Sequence, residues 1–192
     1  MHIICIMHKY RGFTLLELML VVGIIAILVT IAAPSFQWMI QKVTIASNVN
    51  TFLSDMRYAR SESIRRGGGV VLCRSEAPEA ADPACSTDSG GNGWVSGWII
   101  FHDLNNGGDT KDPNDPLLRV QAPITAINSI VGTSTTDKFS FTATGRLRDL
   151  TGVTRMQFGG DGMFAITVRR VVCVNLSGRA RIAGDGNISS CD

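Results

Sequence analysis

One carboxylate, Glu17, stands inside a stretch that is otherwise almost wholly apolar, from Gly12-Phe13-Thr14-Leu15-Leu16-Glu17-Leu18-Met19 through to Ala33. A charge held near the centre of a lipid bilayer costs about 2.5–3.5 kcal/mol even on lenient insertion scales, so an acid in such a place calls for a partner. The chemistry this residue suggests is therefore pairing with a cation supplied from outside the helix. Lys9 and Arg11 lie just ahead of the run, where they hold the N-terminus on the cytoplasmic side and send the rest of the chain outward.

Four further groups have types and spacing that suggest chemistry. Cys5 precedes the apolar run, and Cys73, Cys85, Cys173 and Cys191 follow it. The four that follow, an even number on an exported chain, point to disulfides in an oxidising compartment. Three pairings are open, and spacing favours the two local ones, Cys73 with Cys85 and Cys173 with Cys191. Each loop would stabilise by about 3 kcal/mol in the chain-entropy picture, while free thiols stay open. A zinc site is disfavoured, because neither pair has Cys-x-x-Cys spacing and no histidine is near.

Asp103-Leu104-Asn105-Asn106-Gly107-Gly108-Asp109, with Asp112 and Asp115, is oxygen-rich around a glycine turn, as a calcium loop would be. Its twelfth position, however, is Asn114 rather than glutamate, and a solvated loop of turn-forming residues reads better. His102 is the one histidine after Gly12. No Walker loop, zinc motif or dinucleotide fingerprint accompanies it, so neither an enzyme nor a cofactor or resident metal is expected. Lastly, Gly178-Arg179-Ala180-Arg181 sets two guanidinium groups two residues apart, on one side of a strand. Such a pair can grip successive phosphates of DNA, with salt-sensitive affinity. Arg146, Arg148, Arg155, Arg169 and Arg170 extend the basic character, but with no interleaved aromatic there is nothing for bases to stack on. The competing reading pairs these arginines with Asp161 or Asp185.

The elements that must carry these residues follow from hydrophobic period. Phe13 to Ala33 spans about 31 Å as a helix, the thickness of a bilayer core. Apolar residues then recur at helical spacing through Phe36, Met39/Ile40, Val43, Ala46, Val49, Phe52/Leu53, Met56, Ala59 and Ile64, with Lys42, Asn48, Asp55, Arg57, Arg60 and Glu62 between them. One helix of about 80 Å is expected from Phe13 to about Arg66. Its first half is apolar all round and its second half amphipathic, packed on a sheet. Pro34 interrupts it with a kink, or else separates two helices. Gly67-Gly68-Gly69 ends it.

Beyond, the period changes, and strands are predicted at Val70–Arg74, Trp94–His102, Leu117–Gln121, Lys138–Thr142, Val153–Phe158, Met163–Asn175 and Arg179–Ala183. The organisation expected is a leader (1–12), a membrane-spanning helix (13–34), an amphipathic helix (35–66) and a β-rich domain (67–192). The fold class is α+β, with the long helix packed on the β-rich part. The formal charge of +2 cancels once Lys9 and Arg11 are set aside, so overall charge selects no partner. Its distribution is uneven: residues 67–145 are acid-rich, and 146–192 carry arginines in excess of aspartates.

Competing accounts of the N-terminus fail on particular residues. A secretory signal has a shorter apolar core followed by a small-residue cleavage site, a plain anchor has no use for Glu17, and a lipoprotein needs its cysteine after the run rather than at Cys5. Arg11-Gly12-Phe13-Thr14-Leu15-Leu16-Glu17 instead resembles the leader of type IV pilins and pseudopilins. The resemblance implies cleavage by a prepilin peptidase after Gly12, N-methylation of Phe13, and pairing of Glu17 with the freed amine of a neighbouring subunit. It also implies a helix that serves first as an inner-membrane anchor, single-pass with the domain in the periplasm, and later as filament core. Met7 as the start would give a compact basic leader.

Further along, Val71-Leu72-Cys73-Arg74, Gly97-Trp98-Ile99-Ile100-Phe101-His102-Asp103, Leu117-Leu118-Arg119, Cys173-Val174-Asn175 and Gly178-Arg179-Ala180-Arg181 resemble the GspH/FimT minor pilins, FimU among them. That likeness implies a low-copy subunit at or near the tip of a type IV pilus or a type II secretion pseudopilus, partnered by other pilins and helping initiate assembly. For some FimT-like members it implies DNA capture through the Gly-Arg-x-Arg segment, here Gly178, Arg179 and Arg181.

Overall fold

The computed structural model describes residues 12–86, 91–105, 110–132, 137–148, 150 and 152–191. Helix α1 runs Leu15–Arg66. Eight strands follow: β1 Gly68–Arg74, β2 Trp98–His102, β3 Leu117–Gln121, β4 Ile130–Gly132, β5 Lys138–Thr142, β6 Thr154–Phe158, β7 Arg170–Val174 and β8 Ala180–Asp185. The result is the α+β architecture expected. The chain divides into two compact units, Met1–Met39 and Ile40–Asp192.

In the first unit, α1 is long and apolar enough to cross a membrane, and its most apolar window is wholly unburied. The helix is assigned without a break across 33–34, so it is not two separate helices.

In the second unit the rest of α1 joins two four-stranded antiparallel sheets, ordered β3-β2-β1-β5 and β4-β6-β7-β8. Ile45, Val49, Phe52, Leu53, Met56 and Ala59 form the buried helix face, in one cluster with inward residues of both sheets such as Leu72, Trp98, Phe139, Phe158 and Val172. Among the described residues every buried side chain lies in this unit. Residues 40–192 thus hold a complete core and can fold without the preceding segment. A smaller cluster, Val71, Cys73, Ile99 and Phe101, occupies the other face of the first sheet, with Cys85 packed on it. Arg74, 1% exposed, holds the following loop through Glu76 and Ser86.

Several expectations need correction. Phe36, Met39, Ile40, Val43 and Ile64 are exposed, so the buried helix face is shorter than the apolar period suggests. Asp55, assigned to the polar face, is buried. Trp94–His102 is not one strand: Trp94–Ser96 is a 3₁₀ turn, and Gly97, with φ +103°, breaks it from β2 because a Cβ there would lie 2.5 Å from the Gln121 carbonyl. Met163–Asn175 shrinks to β7, since residues 161–168 are turns folded over the Ile45 end of α1 and anchored by Arg169. Arg179–Ala183 shifts to Ala180–Asp185, and β4 was not foreseen. The glycine triplet does end α1, but β1 begins within it, at Gly68.

Candidate functional site

At the N-terminal end, Gly12 and Phe13 are exposed just ahead of α1, Phe13 by 80%. Arg11 and the rest of the leader, including Lys9 and Cys5, lie outside the described residues. The Glu17 backbone N–H donates to Thr14 Oγ1 at 3.2 Å. Thr14 therefore caps the helix, and Thr14-x-x-Glu17 has the spacing of a capping box. That signal stands in the sequence. The cap uses the Glu17 backbone and leaves its exposed carboxylate to other partners.

Both local cysteine pairs are bonded, Cys73 to Cys85 with Cα atoms 5.5 Å apart and Cys173 to Cys191 at 5.7 Å. The first ties the 75–86 loop to β1, and the second fastens the C-terminal tail to β7. In the acidic loop, Asp115 accepts from the backbone N–H groups of Leu104 (3.1 Å) and Asp112 (2.9 Å), and Asn105 donates to Asp112 at 2.9 Å. These carboxylates do the work of turn formers. Among the described residues no group of three or more potential metal ligands comes together; Asn106, Gly107, Gly108 and Asp109 lie outside them.

The arginine motif sits on the β7–β8 hairpin. Gly178 (φ +71°) forms its turn and packs so closely on the Gly145 carbonyl that no side chain fits. Arg179 precedes β8, yet the ladder continues to it: Asn175 N–H donates to the Arg179 carbonyl at 3.1 Å, and Arg181 stands opposite Cys173. Register thus sets Arg179 and Arg181 on one face, and both are exposed, as are Arg146 and Arg148. Arg155, Arg169 and Arg170 make contacts within the domain. Arg169 is buried, donating to the Phe164 carbonyl and pairing with Asp161 at 2.6 Å. Arg170 donates to the carbonyls of Thr167, Val168 and Arg169, and Arg155 to those of Ile188 and the Gln157 side chain. Asp161 is thereby taken by Arg169, and Asp185 accepts from Asn187.

A second constellation was missed. Asp55, 3% exposed, accepts from Trp98 Nε1 at 2.8 Å on one oxygen and from Arg119 Nη1 at 2.6 Å on the other. The Arg119 guanidinium carbon lies 4.1 Å from the Tyr58 ring centroid, a cation–π contact. The available signal was that Asp55 falls three residues after Phe52 and four before Ala59, on the buried stripe. At the end of α1, Glu62 binds Arg65 and Arg66; hydrogen bonds from these two hold its carboxyl below the usual 4.5.

Comparison with known proteins matches this arrangement. The family described as "Type II transport protein GspH" matches residues 48–178, and the prokaryotic N-terminal methylation motif matches residues 7–33. The chain is 42% identical over 67 residues to prepilin peptidase-dependent protein D of Escherichia coli (strain K12), a match spanning 35% of this chain and 45% of that protein. Its fold is similar to two crystal forms of the type IV minor pilin FimU of Pseudomonas aeruginosa (strain PAO1). One has a TM-score of 0.53 and 19% identity over 77% of this chain and 99% of FimU; the other has 0.54 and 18% over 77% and 95%. With its methylation motif, long N-terminal helix and paired antiparallel sheets, this chain belongs to the GspH family and has a pilin fold.

Proposed function

We propose that the chain is anchored in the bacterial inner membrane by its first helical segment, cut by a prepilin peptidase after Gly12 and N-methylated on Phe13. It then enters a type IV pilus or type II secretion pseudopilus at or near the tip, where it helps start assembly. The observation that carries this reading is the exposed apolar segment from Phe13 into the start of α1, with a single acid, Glu17, inside it. Such a surface needs lipid before assembly and protein afterwards, and the acid needs a cation in both settings. Cleavage supplies one, the amine of a neighbour's Phe13. The peptidase dependence named for the Escherichia coli relative supports the same route.

Mass spectrometry of the protein recovered from its own bacterium tests this. The expected mature chain begins at methylated Phe13. An intact leader, or a start beyond residue 33, overturns the proposal. Deleting the gene is expected to reduce filament number or secretion.

A second reading, compatible with the first, is DNA capture at the tip. It is favoured by Arg179 and Arg181 standing exposed on one face of the hairpin, with Arg146 exposed beside the Gly145–Gly178 contact. In a gel shift, residues 40–192 should retain duplex DNA weakly, without sequence preference, and less as salt rises. Arg179→Ala/Arg181→Ala should lose that retention. Equal retention by both proteins removes this reading.

A further inference from the structure

We propose that the groove between α1 and β3 is a docking site for an acidic, extended segment of a neighbouring pilin subunit, with Arg119 as its carboxylate anchor. This rests on the filament reading above. Among the described residues β3 is the outermost strand of its sheet and has a neighbour on one side only. An unpaired strand edge is a template for a further strand. Beside it lies a cavity of about 490 Å³, lined by Ser47, Asn50 and Ser54 of the helix and by Arg119 and Gln121 of the strand.

Arg119 is already fixed. Asp55 holds Nη1 from the buried side, and the Tyr58 ring lies beneath the guanidinium. The side chain is nevertheless 41% exposed, and its other N–H groups have no acceptor among the described residues. A guanidinium offers five donors in a planar fork suited to carboxylate. One is spent on Asp55, and the rest stand in the groove with little side-chain entropy left to lose on binding. Asp55 is buried with both oxygens engaged, so the cationic partner is the one that faces the groove. Asn50 and Ser54 are exposed and add further polar contacts. The strand edge pairs with backbone while side chains alternate, so an incoming strand with an acid at one inward position meets Arg119.

The test uses isotope-labelled residues 40–192 and two blocked synthetic peptides, Thr-Val-Glu-Val-Thr and its glutamine counterpart Thr-Val-Gln-Val-Thr, followed by NMR. The Glu peptide should shift the Arg119 Nε–H, the Trp98 indole N–H that shares Asp55, and the β3 amides, and should bind about tenfold more tightly than the Gln peptide. Arg119→Gln should abolish that preference. Because this variant strips a buried carboxylate of a partner and so weakens the fold, a second variant is used: Ser54→Phe, which fills the groove from an exposed helix position, should block both peptides while the rest of the spectrum stays native. Equal binding of the two peptides, shifts confined to other surfaces, or unchanged binding by Ser54→Phe would overturn the proposal. No filament takes part in the titration, so its failure leaves the assembly reading untouched, and failure of that reading leaves the groove measurable.

Discussion

Glu17→Val is expected to leave membrane insertion, cleavage after Gly12 and methylation of Phe13 in place, yet cut incorporation of the chain into filaments by about a hundredfold or more. Valine suits a bilayer better than glutamate does, so the anchor does not suffer. The helix start also survives, because Thr14 Oγ1 accepts the backbone N–H of residue 17 and that donor remains after substitution. What disappears is the carboxylate that, in the proposed assembly, meets a neighbour's ammonium group. Removing one member of a buried ion pair costs about 3–5 kcal/mol, since the other is left desolvated without compensation, and this corresponds to about 10²–10⁴ in an assembly equilibrium. The measurement is the ratio of chain in sheared filaments to chain in membranes, with the N-terminus checked by mass spectrometry. Glu17→Gln keeps size and hydrogen bonding but not charge, and should resemble valine. If either variant is incorporated like the wild type, Glu17 is only part of a helix cap.

Legibility in the sequence followed the range of the interaction. The N-terminal methylation motif, the apolar helix, β3 and β5 depend on local composition and period, and Leu117–Gln121 and Lys138–Thr142 appear with the boundaries expected. Errors arose where a distant contact decides. Trp94–His102 reads as continuous β sequence, but Gly97 must pass the backbone of β3 and turns out of the extended form. Met163–Asn175 has apolar residues throughout, yet Arg169 spends its guanidinium on Asp161 and the Phe164 carbonyl and closes the first half into turns. β4 is three residues long and exists through pairing with β6, which local sequence does not announce. At the candidate sites the same division holds. The arginine motif was visible as a motif, but the engagement of Arg155, Arg169 and Arg170 was not, and Asp55 was placed with the polar residues because its partners, Trp98 and Arg119, are remote in sequence.

Phe52→Ala should produce the largest loss of stability in the domain. The ring is fully buried where α1 meets both sheets. It stands edge-on to Trp94 (centroids 5.8 Å apart), Trp98 (5.7 Å), Phe139 (6.2 Å) and Phe158 (5.6 Å). Trp98 and Phe139 come from one sheet and Phe158 from the other, so the ring joins three elements that touch one another less directly. Truncating a buried Phe costs about 3–5 kcal/mol through lost transfer energy and residual cavity, and aromatic pairs of this geometry add to the loss. Four large rigid rings collapse poorly into the space, which places the expected cost at about 4–5 kcal/mol. For a domain of this size each kcal/mol moves Tm by about 2–4 °C, so residues 40–192 bearing Phe52→Ala should melt about 10–15 °C below the parent. Phe52→Leu, which refills much of the volume, should lose about a third as much. Ile64→Ala, at a position 53% exposed on the same helix, should stay within about 0.5 kcal/mol. Circular dichroism melts of the three variants decide the matter. A Phe52→Ala transition within about 3 °C of the parent would mean that the helix is not fastened to the two sheets through this ring.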